Sequence, residues 1–268
     1  MTEQQTQTSR HFALVTGASS GIGLALARQF AENGFDLVIA AEDPGIHRVS
    51  EELAALGADV FAEEVDLATP LGVEALYRAA TAGGRTLDAV ALNAGVGVGG
   101  PFAQTDLEAD LRLVDLNVRS TVHLAKLLVP AMVARGEGRL LFTASIAATA
   151  PGPYYATYAA SKAFVHSFAQ ALRTELKDTG VSVTSLMPGP TDTEFFVSAD
   201  MEDTAVGTGP KDDPDHVARD GFEALMAGKD HVVAGSRRNS LQAGAASLLP
   251  DAVGARAQAA QAAPGSGN

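Results

Sequence analysis

The feature that most constrains the fold of this chain is a glycine-rich turn between a short apolar run and an amphipathic segment. Residues 12–16 are typical of a buried parallel strand, and Gly17, Gly21 and Gly23 follow in a G-x-x-x-G-x-G spacing. Apolar residues then recur at helical spacing over 24–31. Glycines let the backbone approach a phosphate, and the start of a helix offers free N–H groups. The sequence therefore predicts a dinucleotide site here; a turn that is merely tight is the alternative.

Further apolar runs alternate with helical patterns along the chain and predict the rest of a sheet. No linker-like stretch or fixed repeat interrupts residues 10 to 235. This alternation is typical of an α/β fold with a single doubly wound parallel sheet, Rossmann-like, of about seven strands, and with helices on both faces. The predicted strands cover residues 12–16, 36–41, 60–65, 87–92, 139–143, 181–187 and 231–234. The longer predicted helices cover 70–81, 106–135 and 214–227, and another runs through Tyr158 to about 177.

The predicted catalytic domain spans residues 11–249. Residues 1–10 are polar and lack a hydrophobic signal core, so we expect a disordered lead-in. Periodicity is lost from 194 to 213, and because loops of this length in compact domains are usually functional, we expect a substrate lid over about 190–213. The tail, 250–268, is alanine-rich, and its composition suits either a helix or disorder.

Composition narrows the function classes. The chain has 32 acidic and 19 basic residues and a net charge of −13, which argues against nucleic acid or an anionic membrane surface as a partner. It has no cysteine, which excludes disulfides and thiolate metal sites and suits a reducing compartment; no metal site is expected. No apolar run approaches the roughly 20 residues needed to span a bilayer. A cytoplasmic location is therefore expected.

Tyr158 and Lys162 form the first candidate catalytic group, with Ser145 upstream. In a helix, a spacing of four places Tyr158 and Lys162 on one face. A cation beside a phenol is expected to lower its pKa toward neutrality, which makes Tyr158 a candidate general acid/base. Ser145 follows a predicted strand end, where its hydroxyl can hydrogen-bond a substrate oxygen. An amphipathic helix carrying an aromatic residue and a lysine with no chemistry is the alternative.

The residues after the second predicted strand bear on the cofactor. The adenosine ribose normally binds at this position, and here the chain has Glu42 and Asp43. A carboxylate accepts hydrogen bonds from a 2′-hydroxyl but repels a 2′-phosphate. NAD is therefore favoured, with NADP as the second option. The alternative is that Glu42 and Asp43 only cap the following helix.

Two asparagines mark further candidate positions. Asn93, Ala94 and Gly95 end the fourth predicted strand, where small residues let a flat ring or a ribose lie against the backbone. Asn117 lies among apolar residues of the long predicted helix and must find polar partners if it is buried. A satisfied core amide is the alternative for Asn117.

Taken together in this order and spacing, these motifs resemble the short-chain dehydrogenase/reductase family, standard-length branch. The resemblance runs from about residue 12 to 235. The residues that carry it are Thr16-Gly17-Ala18-Ser19-Ser20-Gly21-Ile22-Gly23, Asp66, Asn93-Ala94-Gly95, Asn117, Ser145, Tyr158-x-x-x-Lys162 and Pro188-Gly189.

The resemblance implies a role for each of these residues. It implies that Ser145, Tyr158, Lys162 and Asn117 are catalytic, with Asn117 ordering a water that links Lys162 to solvent. It implies cofactor contacts by Gly17, Ser19, Ser20, Gly21, Ile22, Gly23, Asp66, Leu67, Asn93, Ala94, Gly95, Tyr158, Lys162, Pro188, Gly189, Thr191 and Thr193. Glu42 is a further predicted contact, from its position after the second predicted strand. The sequence departs from the family at Ala41, where many NAD-using relatives carry an aspartate.

The implied activity is that of an NAD(P)-dependent oxidoreductase. Hydride would pass between nicotinamide and a small-molecule carbonyl or secondary alcohol, with Tyr158 exchanging the proton. The alternatives are a family epimerase or dehydratase and a catalytically silent dinucleotide-sensing protein. The long helices through Asn117 and Tyr158 carry apolar residues on more than one face, which, with the family resemblance, predicts a homodimer through these helices or a homotetramer.

Overall fold

A computed structural model describes residues 10–246 and 249–267. Its centre is a seven-stranded sheet in which every neighbouring pair is parallel, in the order β3-β2-β1-β4-β5-β6-β7. This confirms the predicted doubly wound α/β fold. The strands are β1 (His11–Thr16), β2 (Phe35–Ala41), β3 (Val60–Glu64), β4 (Ala89–Leu92), β5 (Gly138–Thr143), β6 (Val181–Pro188) and β7 (His231–Ala234).

Helices cover both faces of the sheet. α1, α2 and α9 pack against one core that includes Phe30 and Phe222, whose ring centroids are 5.1 Å apart. α3, α5 and α6 pack against the other core, around Phe142. The helices are α1 (Gly21–Glu32), α2 (Ile46–Ala54), α3 (Pro70–Thr81), α4 (Leu107–Val114), α5 (Ser120–Arg135), α6 (Ala156–Leu176), α7 (Phe195–Ser198), α8 (Ala205–Thr208), α9 (Pro214–Met226), α10 (Arg237–Ala246) and α11 (Asp251–Ala262).

The strand order reverses between β1 and β4, and this reversal positions the site. The chain winds outward from β1 to β2 and β3, then returns and winds the other way from β4 to β7. In such sheets ligands bind in the crevice at the carboxyl ends of the strands flanking the switch. The loops that follow β1, β4 and β5 therefore meet at one crevice.

The predicted helix over 106–135 is interrupted in the structure. α4 and α5 are joined by a π-helical turn, Asp115–Arg119, which contains Asn117. Asp106 caps the start of α4 by accepting a hydrogen bond from the amide of Ala109 (3.0 Å). π turns inside α-helices are frequent at functional sites, because the extra residue redirects nearby side chains and carbonyls.

The predicted lid differs from a loop without periodicity, because it contains the one-turn helices α7 and α8. The tail, for which helix and disorder were both open, forms α11. Of the predicted lead-in, residues 1–9 lie outside the described residues. Arg10 is held in place, since its guanidinium lies 3.1 Å from the carboxylate of Asp36.

Within the described residues, none of the helices combines the length and apolar character needed to cross a bilayer.

Candidate active site

The glycine-rich turn after β1 forms a cradle in which two positions exclude a side chain. Gly17 has φ +67°, in the left-handed region, and a Cβ there would lie 2.8 Å from the Cα of Ala94. A Cβ at Gly23 would lie 2.6 Å from the side-chain nitrogen of Asn93 and would also clash with the carbonyl oxygen of Gly17. The backbone therefore opens at the start of α1, where free N–H groups can bind an anion.

Asn93 joins the ends of three strands beside this cradle. Its backbone N–H donates to the hydroxyl of Thr16 (2.9 Å), and its side-chain N–H donates to the carbonyl of Thr16 (3.2 Å). The hydroxyl of Thr143 donates to its side-chain oxygen (3.0 Å). β1, β4 and β5 are thus fixed relative to one another at the floor of the crevice.

Arg112 links the carboxylates that border the predicted adenosine end. Its guanidinium lies 2.5 Å from the carboxylate of Glu42 and 3.1 Å from that of Asp66. Burial by itself raises the pKa of Asp66, but hydrogen bonds from Arg112 and from the amide of Ala68 outweigh it and lower that pKa. Asp43 accepts a hydrogen bond from the amide of Gly45 (2.8 Å) in a local turn before α2.

Tyr158 and Lys162 lie one turn apart on α6, as predicted, but the pKa of Tyr158 shifts in the direction opposite to the expected one. Desolvation raises the pKa of Tyr158 to about 12, partly offset by a hydrogen bond with Ser145. Burial lowers the pKa of Lys162 to about 8. The Nζ of Lys162 donates to the carbonyl of Thr143 (2.9 Å) and lies 5.7 Å from the centroid of the Tyr158 ring. Desolvation therefore sets the direction of both shifts, and the expected lowering of the phenol pKa by the cation is not found.

Asn117 is 1% exposed and lies behind this group. Its side-chain oxygen accepts from the amide of Val96 (2.9 Å), and its side-chain N–H donates to the carbonyl of Val96 (2.9 Å) and the hydroxyl of Ser161 (3.0 Å). A Cβ at Gly95 would lie 3.0 Å from the Asn117 oxygen and 3.1 Å from the Lys162 nitrogen. Asn117 is therefore a satisfied buried amide, and Gly95 leaves the space where it and Lys162 converge.

Aromatic and aliphatic residues of the lid cover Tyr158. The ring centroid of Phe195 lies 4.9 Å from that of Tyr158, and Phe196 and Met201 are buried in a cluster with Tyr155. Thr193, at the start of the lid, lies over the glycine-rich turn, where a Cβ at Gly21 would be 2.9 Å from its methyl group. The lid thus connects the two ends of the crevice.

One cavity of about 570 Å³ joins the glycine-rich turn to Tyr158. All the predicted site residues border this cavity except Asn117, which lies behind Tyr158 and Lys162. The sequence did not predict the contacts of Arg112 with Glu42 and Asp66, or a role for the tail at the site. Gln258 and Gln261 of α11, in the tail, border the cavity. Their spacing of three in an alanine-rich stretch, typical of one helix face, is the signal that could have found them.

Comparison with known proteins agrees with this architecture. The model of the short chain dehydrogenase family matches residues 11–203. The chain is 42% identical over 185 residues to 1-deoxy-11-beta-hydroxypentalenate dehydrogenase of Streptomyces exfoliatus, covering 68% of this chain and 67% of that protein.

Two solved structures superimpose on most of the chain. One is a short-chain dehydrogenase from Sphingobium yanoikuyae in complex with NADPH, with a TM-score of 0.78, 30% identity, and coverage of 83% of this chain and 87% of that one. The other is 3-ketoacyl-(acyl-carrier-protein) reductase from Brucella melitensis complexed with NADH, with a TM-score of 0.73 and 28% identity. The match covers 83% of this chain and 96% of that one.

The chain therefore belongs to the short-chain dehydrogenase family of oxidoreductases, whose members use nicotinamide cofactors.

Proposed function

We propose that this protein interconverts a ketone and a secondary alcohol with an NAD(P) cofactor, using Tyr158 as general acid/base. The observation that carries the proposal is the position of the Tyr158 phenol, which borders the same cavity as the glycine-rich turn and as Ser145. A partly buried phenol with a high pKa keeps its proton at neutral pH and can donate it to a developing alkoxide.

The cavity fits a dinucleotide. Gly17 and Gly23 leave room for a pyrophosphate at the start of α1, and Asp66 and Asn93, which border the cavity, would contact the adenosine portion. Lys162 would hold the ribose hydroxyls next to the nicotinamide, whose amide would meet Thr193 as the resemblance implies. When bound, the nicotinamide would supply or accept the hydride.

The residues around Tyr158 would handle the proton. Reduction adds a hydride to the carbonyl carbon and a proton to its oxygen, and Tyr158 is the donor of that proton. Ser145 would hydrogen-bond the same oxygen and stabilise its developing negative charge. Lys162 would stabilise the phenolate that remains. As the resemblance implies, Asn117 would order a water that links Lys162 to solvent, through which the proton is replaced. Oxidation of the alcohol is the reverse.

Tyr158→Phe tests this assignment. The change removes the transferable proton and keeps the ring that packs against Phe195, so kcat/KM for ketone reduction should fall by at least about 10²-fold with little change in the Kd for NADH. Tyr77→Phe, on α3, serves as the matched control. The measurement is NADH or NADPH absorbance over a panel of ketones and secondary alcohols. The panel should include hydroxylated carboxylates, the class in the name of the Streptomyces relative. Near-normal turnover by Tyr158→Phe would contradict the assignment.

For the cofactor, NAD is our proposed preference. Glu42 and Asp43 border the cavity beyond β2, where their negative charge disfavours a 2′-phosphate. Arg112 neutralises part of this charge through its contact with Glu42, so the expected preference is modest. The Kd for NADH should be lower than that for NADPH, and Glu42→Arg combined with Asp43→Arg should reverse the order. Glu51→Arg, on the exposed side of α2, is the control. Tighter NADPH binding by the unchanged protein would refute the charge argument and leave the dehydrogenase assignment in place.

A further inference from the structure

The helix of the tail presents one face to the cavity. Gly254, Gln258, Gln261 and Ala262 follow one another at intervals of four, three and one, which places them on the same side of α11. Gly254 lies against Ala150, where a Cβ would be 3.1 Å from the Ala150 methyl group. Ala262 is 2% exposed and packs in the lid cluster, and the two glutamines between them border the cavity.

The end of the tail is hydrogen-bonded to the lid. The amide of Gly265 donates to the carboxylate of Asp203 (2.7 Å), and the amide of Gly267 donates to the Asp203 carbonyl (2.8 Å). In return, the amide of Ala205, the first residue of α8, donates to the hydroxyl of Ser266 (2.9 Å). These bonds hold α11 and the lid together as one wall of the cavity.

Gln258 has a defined orientation in that wall. Its side-chain oxygen accepts a hydrogen bond from the hydroxyl of Tyr155 (2.7 Å), a buried residue that precedes α6. The Tyr155 ring centroid lies 6.3 Å from that of Tyr158. With its oxygen bound to Tyr155, Gln258 has both side-chain N–H groups available as donors, and Tyr155 in turn lies beside the candidate general acid.

The charges around this part of the cavity favour a neutral ligand group. Among the described residues that border the cavity, Lys162 is the sole cation, and its ammonium is engaged beside Tyr158. Glu194 borders the cavity at the start of the lid. A substrate carboxylate near the lid would meet the negative charge of Glu194 without a second cation to balance it among the described residues that border the cavity. A hydroxyl or carbonyl oxygen needs no counter-charge.

From these contacts we infer that Gln258 and Gln261 determine substrate specificity by binding a neutral oxygen of the substrate remote from the reacting carbon. The substrate class is then a largely apolar ketone or secondary alcohol with a second hydroxyl or carbonyl group. Phe195, Phe196 and Met201 would enclose its apolar body. The inference rests on the proposed oxidoreductase function and deepens it.

The test uses three decalone-type bicyclic ketones: one without further substituents, one with a hydroxyl on the far ring, and one with a carboxylate there. The full-length protein should prefer the hydroxyketone. Gln258→Leu with Gln261→Leu should lower kcat/KM for the hydroxyketone by about 10-fold or more, mainly through KM, and should leave the unsubstituted ketone within about 2-fold. A contact made equally in ground and transition states moves KM and leaves kcat unchanged.

Two further variants separate recognition from folding. Gln258→Glu keeps an acceptor for Tyr155 and removes the N–H donor, so it should lose the binding of the matching diketone, whose second carbonyl oxygen can only accept. The Tm of this variant reports whether the fold is retained. Arg256→Leu, on the opposite, exposed face of α11, should behave like the unchanged protein. An equal loss for all three ketones in the glutamine variants would assign α11 a purely structural role and overturn the inference. A carboxylate preference that the same variants abolish would overturn the neutral-oxygen assignment.

Binding gives a readout that does not depend on turnover. The shift in Tm that each ketone produces in the protein loaded with NAD⁺, which cannot reduce a ketone, should follow the same order, and the glutamine variants should remove the difference between hydroxyketone and unsubstituted ketone. If the protein discriminates the ketones in binding and reduces none of them, the oxidoreductase proposal fails and the recognition by α11 stands. If binding shows no discrimination, the inference is wrong even for an active enzyme.

Discussion

Tyr158 and Lys162 show how the surroundings of a residue pair decide its chemistry. Their spacing predicts that the cation lowers the pKa of the phenol, but in the structure burial disfavours the charged form of each. The pKa of Tyr158 rises to about 12, and that of Lys162 falls to about 8. Of the two, Lys162 therefore titrates nearest to neutral pH. Its ammonium is fixed by the carbonyl of Thr143 rather than by the phenol.

A pH profile follows from these values. Lys162 is protonated below about pH 8 and neutral above it, and only the ammonium can stabilise the phenolate. With NADH and ketone both well below their KM values, the initial rate reports the free enzyme, so this rate should fall about tenfold per pH unit above 8. Tyr158 stays protonated throughout this range and does not cause the decline.

Lys162→Arg identifies the titrating group. A guanidinium keeps its charge across the range, so the variant should be slower but should lack the decline above pH 8. The measurement is initial NADH oxidation from pH 6 to 10 for both proteins. A decline that persists unchanged in Lys162→Arg would assign it to another group.

At the scale of elements, the strands were predictable because a parallel sheet covered on both faces selects continuous apolar runs. The location of the candidate site was predictable for the same reason, because the carboxyl ends of parallel strands all lie at one edge of the sheet. The lid helices α7 and α8 were not predictable, because one turn is too short to show a periodic pattern and their stability comes from contacts. Thr204 caps α8 by accepting from the amide of Gly207 (3.0 Å), and Phe196 is buried against Tyr155.

The missed site residues reach the crevice from helices that are distant in sequence. Arg112 comes from α4 to contact Asp66, 46 residues earlier, and Gln258 comes from α11 to contact Tyr155, 103 residues earlier. A pattern among residues that are close in sequence cannot indicate contacts between residues so far apart in the chain. For α11, the helical spacing of Gly254, Gln258, Gln261 and Ala262 indicates an inward face, but not the element that it faces.

At the scale of the whole molecule, one face remains apolar and exposed. Leu107, Leu111 and Val114 lie along one side of α4 and are 67%, 49% and 40% exposed, and Phe164 of the neighbouring α6 is 39% exposed. Apolar residues on the inner side of α5 and α6 pack in the chain's own core, because the sheet covers that side. These are Leu124, Leu128 and Val165.

We expect two chains to associate through this exposed face of α4 and α6. Apolar patches that the fold leaves uncovered commonly mark interfaces, and an isologous contact would place Leu111 and Phe164 near a two-fold axis. Because α6 carries Tyr158 and Lys162, association would also stiffen the site. Leu111→Glu with Phe164→Glu should convert a dimer or tetramer to monomers in analytical ultracentrifugation and lower activity. Leu71→Glu, at a 76% exposed leucine on α3, should change neither. A fully active monomer of the unchanged protein at micromolar concentration would contradict the expectation, since the exposed face would then serve neither assembly nor the site.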